Sequence, residues 1–216
     1  MQPAAEMSKI ASRPARRTNE QRSAEMRSAL VEACILSLCE LGYSSTTTQE
    51  ICRRAGATSG AIQHHFGSKD ELLLATLNTL TAEMEELLEQ ISLLGGTLEA
   101  RCEALLDRLW ETFYGRERYM AVWEIAIGSR GDPIFFAKVD AQRFQTLAMY
   151  ERIWRRTFNI AEDDQSGMSA MHIVLSFLRG LVLYQHSDKA AIATQLELMS
   201  SALAHMLRRR PLSRSS

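Results

Sequence analysis

At Thr18 with Gln21, Thr47 with Glu50 and Ser68 with Glu71, a hydroxyl side chain stands three positions ahead of Glu or Gln at the start of an apolar-periodic stretch. At that spacing the hydroxyl accepts from the backbone N–H three residues ahead. The longer side chain returns to the cap's own N–H, so each pair starts a helix. Thr18 opens the first helix, along which Met26, Leu30, Ala33, Cys34, Leu38 and Leu41 recur at helical spacing before Gly42. Thr47 opens a short helix to about Ala55, broken by Gly56. Thr58 is placed to cap a third, Ser59–Phe66, which Gly67 ends. Ser68 launches a long helix to about Leu94, stopped by Gly95-Gly96. Further helices read as Leu98–Tyr114, Glu117–Ser129, Pro133–Phe158, about Asp164–His186 and Lys189–Arg208. Asp132 caps the third of these and Ser187 or Asp188 the last. No run alternates with period two between hairpin turns, so the expected fold is all-α with about nine helices.

Composition separates two parts. Residues 1–69 carry a net charge of +3 and residues 70–216 a net −4, and 13 of the 15 aromatics lie after residue 69. The front is mildly basic and polar, the back acidic and aromatic. Any nucleic-acid footprint must therefore be local, since the whole chain is at −1. An apolar share of 46% is enough to build a core, which excludes disorder of the whole chain. The most apolar window, Ile173–Tyr184, holds Arg179 and falls short of the roughly 20 residues of a membrane span. The polar N-terminus lacks a signal-peptide h-region, so a cytoplasmic protein with no membrane partner is expected. Cys34, Cys39, Cys52 and Cys102 form no C-x-x-C pair, and core packing is expected of them. The expected organisation is a flexible basic arm (1–17, with Lys9, Arg13, Arg16 and Arg17), a DNA-binding domain (18–67), a ligand-binding and dimerisation domain (68–210) and a tail (211–216).

The functional signal lies around Gly56. Two short helices meet at that glycine, with the small Cys52 four residues before it and the branched Ile62 six after it. This is helix-turn-helix spacing: Gly permits the turn, Cys52 lets the crossing helices approach, and Ile62 plugs the angle with Ile51, Ala55 and Phe66. The other face of the second helix carries Ser59, Gly60, Gln63 and His64, suited to the DNA major groove. Gly60 and Ala61 leave room for close approach. Gln63 can read an adenine through the planar donor–acceptor pair of its amide. Thr47, His65 and Lys69 can reach phosphates, helped by free N–H groups at the helix starts. His64 and His65 are consecutive and should diverge by about 100°, which argues against a shared metal ion.

The run Gly42-Tyr43, Thr46-Thr47, Ile51, Ala55-Gly56, Gly60-Ala61-Ile62, His64-His65-Phe66-Gly67-Ser68-Lys69 and Leu72 resembles the DNA-binding domain of the tetracycline-repressor (TetR) family over about residues 20–74. The sequence departs from that pattern at Gln63, where the family usually has Tyr, and at Cys52, where Ala is common. The resemblance implies base-facing positions at Gln49, Ser59, Gly60, Ala61, Gln63 and His64, and phosphate-facing positions at Thr47, Thr48, His65 and Lys69. It also implies an all-α ligand-binding domain, a homodimer built through the last two long helices, and repression relieved by a small molecule.

No motif marks residues 75–216. The large aromatics there suggest a pocket for a hydrophobic or amphipathic effector among Met84, Leu88, Trp110, Phe113, Tyr114, Trp123, Phe144 and His172. The helix opened by Ser68 is the expected transmitter, with Lys69 at the DNA end and Met84 and Leu88 at the pocket. Leu175, Leu178, Val182, Leu196, Met199 and Leu203 are the expected dimer face. The expected partners are an inverted-repeat DNA operator, an effector and a second copy of the chain, with no cofactor and no metal. The alternatives are a constitutive DNA binder, an activator without a ligand, or a helical-bundle enzyme. The enzyme is disfavoured because no Glu-x-x-His, G-x-S-x-G, P-loop or H-E-x-x-H occurs.

Overall fold

The computed structural model describes residues 18–183 and 189–209. Among them are nine α-helices and no strand: α1 (Asn19–Ser45), α2 (Thr48–Ala55), α3 (Ala61–His65), α4 (Lys69–Ser92), α5 (Leu98–Leu109), α6 (Met120–Gly128), α7 (Pro133–Phe158), α8 (Gln165–Val182) and α9 (Lys189–Arg208). The basic arm, the tail and the cap at Ser187 or Asp188 lie outside the described residues.

The capping chemistry operates with differences that neighbours impose. At Thr18 both halves of the box form: the Gln21 N–H donates to Thr18 Oγ1 at 3.1 Å, and the Thr18 N–H donates to Gln21 Oε1 at 2.9 Å. At Thr47 and Ser68 only the hydroxyl half forms. Glu50 instead accepts from Arg53 and Arg54, and Glu71 takes Lys138 from α7. Charged donors outbid a neutral backbone N–H. Asp132 caps α7 as expected, with Pro133 in the first turn.

Three boundaries move. Thr58 does not cap a helix with its side chain: α3 begins at Ala61 behind Gly60, and the Ala61 N–H donates to the Thr58 carbonyl. Ser59 and Gly60 form a turn, so α3 is shorter than the expected Ser59–Phe66. The expected helix Leu98–Tyr114 is α up to Leu109 and then widens into a π turn over Trp110–Tyr114. The expected Glu117–Ser129 begins with a 3-10 turn, Glu117–Tyr119, before α6.

The core runs without interruption from Leu30 and Ile51 in the front to Leu203 and Leu207 in α9. Helix α1 carries α2 and α3 at one end and lies along α6; α4 packs on α7, α5 on α9, and α8 on α9. Cys34, Cys52 and Cys102 are buried and Cys39 half-buried, all as free thiols. Burial pushes the thiols of Cys34 and Cys102 up to about 11. No helix among the described residues is long and apolar enough to cross a membrane.

The expected dimer face is corrected here. Leu175, Leu178, Val182, Leu196 and Leu203 are all buried inside the protomer, and only Met199 is half-buried. Two helices at the edge of a bundle show the same apolar periodicity whether they face their own core or a second copy. The apolar side chains that α8 and α9 do expose are Ile173, at 46%, and Leu198, at 66%.

Candidate nucleic-acid interface and the cavity behind it

The α2–α3 unit is held from beneath by Ile51, Cys52 and Ile62, which are 0%, 4% and 3% exposed. Gly56 takes the left-handed conformation, φ +62, which an L side chain rarely adopts, and turns the chain so sharply that the Ala57 N–H reaches the Cys52 carbonyl at 2.9 Å. With the apolar sides packed, the remaining faces point outward. Thr47, Thr48, Gln49, Thr58, Ser59, Gly60, Gln63 and His64 are exposed, while Ala61, His65 and Lys69 are half-buried.

Each group on this face has a stated chemical capacity. Thr47 Oγ1 accepts from the Glu50 N–H at 3.2 Å, which leaves its hydroxyl proton free to donate. Gln63 offers a planar amide. The rings of His64 and His65 meet edge to face at 4.8 Å, closer than the helical divergence of their Cα–Cβ bonds suggests; among the described residues no group of three metal-ligating side chains converges. Lys69 holds its ammonium over the Tyr43 ring, 5.1 Å from the centroid.

The arginines are largely occupied. Glu50 accepts from Arg53 at 2.7 and 2.8 Å and from Arg54 at 2.6 Å, and Arg54 also reaches Glu40 at 2.8 Å. Those guanidinium donors hold the Glu50 carboxyl down to about 2. Arg27, outside the motif, clamps α3 from α1: its guanidinium donates to the His65 carbonyl at 2.8 Å and stacks on Phe66 at 4.2 Å. Nothing in a local pattern marks Arg27, 38 residues away, as part of the site.

Three contacts fasten this unit to the back of the molecule. The Tyr43 N–H donates to Glu124 of α6 at 2.7 Å. The Tyr43 ring lies against Gly128, so close that a Cβ there would meet its Cγ at 2.1 Å. Arg118 bridges Glu32 of α1, at 2.5 Å, and Glu83 of α4, at 2.7 Å. Its donors hold the Glu32 carboxyl below the usual carboxylate range.

Behind α1 lies a partly open cavity of about 30 Å³ between α4, α5, α7 and α8. Met84, Leu88 and Tyr114 of the expected pocket line it, and Tyr150, Trp154 and Met171 join them. Phe113 is buried among aromatics, 5.2 Å from Tyr119. Trp123 is half-buried, and its indole N–H is buried with no acceptor among the described residues. Trp110 belongs to a separate open groove between α5 and α9. Phe144, 67% exposed, and His172, exposed, lie on the surface outside the cavity. A residue's place in an apolar stretch says how many neighbours on its helix are apolar, not which way it points.

Residues 38–76 match the family described as bacterial regulatory proteins, tetR family. The HTH-type transcriptional regulator BetI of Escherichia coli O17:K52:H18 (strain UMN026 / ExPEC) is 30% identical over 99 residues, 45% of this chain and 51% of that protein. The chain thus spans about half the length of the curated relatives it matches. A transcriptional regulator from Rhodococcus sp. Rha1 superposes with a TM-score of 0.69 at 22% identity, over 86% of this chain and 98% of that one. The transcriptional regulator FadR from Bacillus subtilis, solved with stearoyl-CoA, gives 0.62 at 14% identity, over 83% and 96%.

Proposed function

We propose that the chain, whose residues 38–76 match the tetR family of bacterial regulatory proteins, is a homodimeric transcription factor that binds an inverted-repeat operator and is released by an apolar or amphipathic effector. The observation that carries the DNA reading is the exposed row of Thr47, Thr48, Gln49, Ser59, Gly60, Gln63 and His64, on α2, α3 and the caps and turn that lead into them, braced by Ile51, Cys52 and Ile62. Small side chains at Gly60 and Ala61 let the backbone approach base edges, Gln63 and His64 read them, and Thr47, Thr48 and Lys69 contact phosphates. Two-fold symmetry of the protein then demands two-fold symmetry of the site.

Regulation follows from the way the front is fastened. The first turn of α4 carries Lys69, and its later turns carry Met84 and Leu88 into the cavity wall. Helix α6 grips α1 at Tyr43 through Glu124 and Gly128. An effector that needs more room than about 30 Å³ must push these helices apart, and so favours a state with displaced recognition helices. The stearoyl-CoA held by the FadR neighbour is in keeping with an apolar-tailed effector on this fold. The small cavity equally favours a second reading, a constitutive DNA binder whose core is filled by Tyr114, Tyr150, Trp154 and Phe158.

The test is binding of the purified full-length chain to DNA fragments from its own upstream region across a salt series. Selection of an inverted repeat with a steep salt dependence is expected. Weak, sequence-indifferent binding would overturn the proposal. A compound screen by tryptophan fluorescence separates the two regulatory readings. By linkage, an effector that weakens operator binding must itself be weakened by saturating operator to the same factor.

A further inference from the structure

Arg179 stands half-buried on α8, and the groups nearest its charge are the hydroxyls of Tyr114, Tyr119 and Tyr150, with no carboxylate of the described residues among them. The Tyr114 and Tyr119 rings lie 4.6 Å apart, and Tyr114 is 1% exposed. The other cation near Tyr119, Arg143, is paired with Asp140. Burial of the three phenols raises their pKa values, so they stay neutral and cannot balance the guanidinium. A guanidinium does not deprotonate to escape burial, and its five N–H donors are only partly served by hydroxyls. Arg54 and Arg118, by contrast, each hold two carboxylates.

The position of this cation connects it to the cavity. Tyr114 and Tyr150 are members of the cavity wall and face Arg179 as well. Met171 and Leu175 line the cavity from α8, and Arg179 follows them at the same i, i+4 spacing on that helix face. The cavity is thus apolar along Met84, Leu105, Leu109, Met171 and Leu175, and the two tyrosines in its wall, Tyr114 and Tyr150, neighbour a cation one turn beyond Leu175.

We propose that Arg179 is the anion-binding end of the effector cavity, and that the effector is a carboxylate on an apolar tail. The carboxylate takes a bidentate pair of hydrogen bonds from the guanidinium, with Tyr119, Tyr114 and Tyr150 donating to its remaining lone pairs. The tail displaces the flexible Met84, Leu88 and Met171 side chains and widens the cavity. This deepens the reading of the back domain as an effector domain and rests on it.

The experiment uses the purified full-length protein with three probes of equal tail length below their micellar concentrations: dodecanoate, 1-dodecanol and dodecyltrimethylammonium. Binding is read by calorimetry and by the fluorescence of Trp154, which lines the cavity. Dodecanoate should bind at least about tenfold more tightly than the alcohol, as expected for hydrogen bonds to a charged group, and the ammonium should bind worst. Arg179→Gln should lower dodecanoate binding to the alcohol's level and leave the alcohol within about twofold, since only the charge-assisted bonds are lost. The wild-type order of the three probes decides the matter even if the variant folds poorly. Equal affinity for acid and alcohol, preference for the ammonium, or no binding of any probe overturns the proposal. If the alcohol or the ammonium releases operator DNA, the regulatory reading survives and the anion site falls. If no inverted repeat is bound while dodecanoate still depends on Arg179, the anion site survives and the DNA reading falls.

Discussion

Helix α2, on the face proposed for DNA, and α8, beside the cavity, treat their arginines in opposite ways. On α2, Arg53 and Arg54 are tied to Glu50 and Glu40. On α8, half-buried, Arg179 has tyrosine hydroxyls and no carboxylate of the described residues around it. Burial would lead one to expect the reverse, because an unpaired charge costs more in a low dielectric. The difference shows that α2 spends its charge on its own rigidity and presents neutral hydroxyl and amide groups for reading. The half-buried charge on α8 is the one proposed above to meet an effector's anion.

The comparison can be broken most violently through packing. Leu203 is fully buried, so Leu203→Glu should cost more than about 4 kcal/mol and unfold the protomer by urea titration, as for other uncompensated buried charges. Leu198→Glu, at an exposed site on the same helix, should leave the urea midpoint in place. If Ile173 and Leu198 form the dimer face, that variant should run as a monomer in light scattering, whereas an unchanged dimer would move the interface elsewhere.

The joint between the two regions comes next. Gly128→Ala puts a methyl 2.1 Å from the Tyr43 ring, and repacking of that kind typically costs about 1–3 kcal/mol. DNA affinity should fall with it, since the displaced ring no longer supports Lys69. Tyr43→Ala in the same chain should recover part of the stability but not the DNA affinity.

On the reading face the effects are smaller and separable. Gln63→Ala should relax preference at one base pair by about 1–3 kcal/mol. Lys69→Ala should weaken all sequences alike and lower the salt slope by about one per half-site. Uniform losses from both across a randomised operator library would show that the face does not divide its work in this way.

The smallest effect is electrostatic. Glu50 titrates near 2 rather than at its ordinary 4.5, because Arg53 and Arg54 hydrogen-bond its charged form. A depressed carboxyl contributes stability that is present above pH 4.5 and is lost as the pH falls towards 2. Unfolding midpoints over that window should therefore slope less in Glu50→Gln than in the wild type. The same variant frees Arg53, while Arg54 keeps Glu40, and non-specific DNA binding should tighten with a steeper salt slope.

Helix starts at Thr18, Thr47, Ser68 and Asp132, the turn at Gly56 and the plug at Ile62 were all legible in the sequence, because each depends on atoms within a few residues of one another. The same locality made the polar face of α2 and α3 readable once Ile51, Cys52 and Ile62 were assigned inward. Tertiary structure alone decided that Glu71 abandons its capping box for Lys138, whereas Glu50 leaves its box for Arg53 and Arg54 on its own helix. It also decided that Leu175 and Leu203 face inward, that Phe144 faces water, and that Arg179 meets three tyrosines from the π turn, the 3-10 turn and α7. Periodicity tells which side chains share a helix face, but a face acquires a neighbour only when another helix packs on it, and charge finds its partner across that contact.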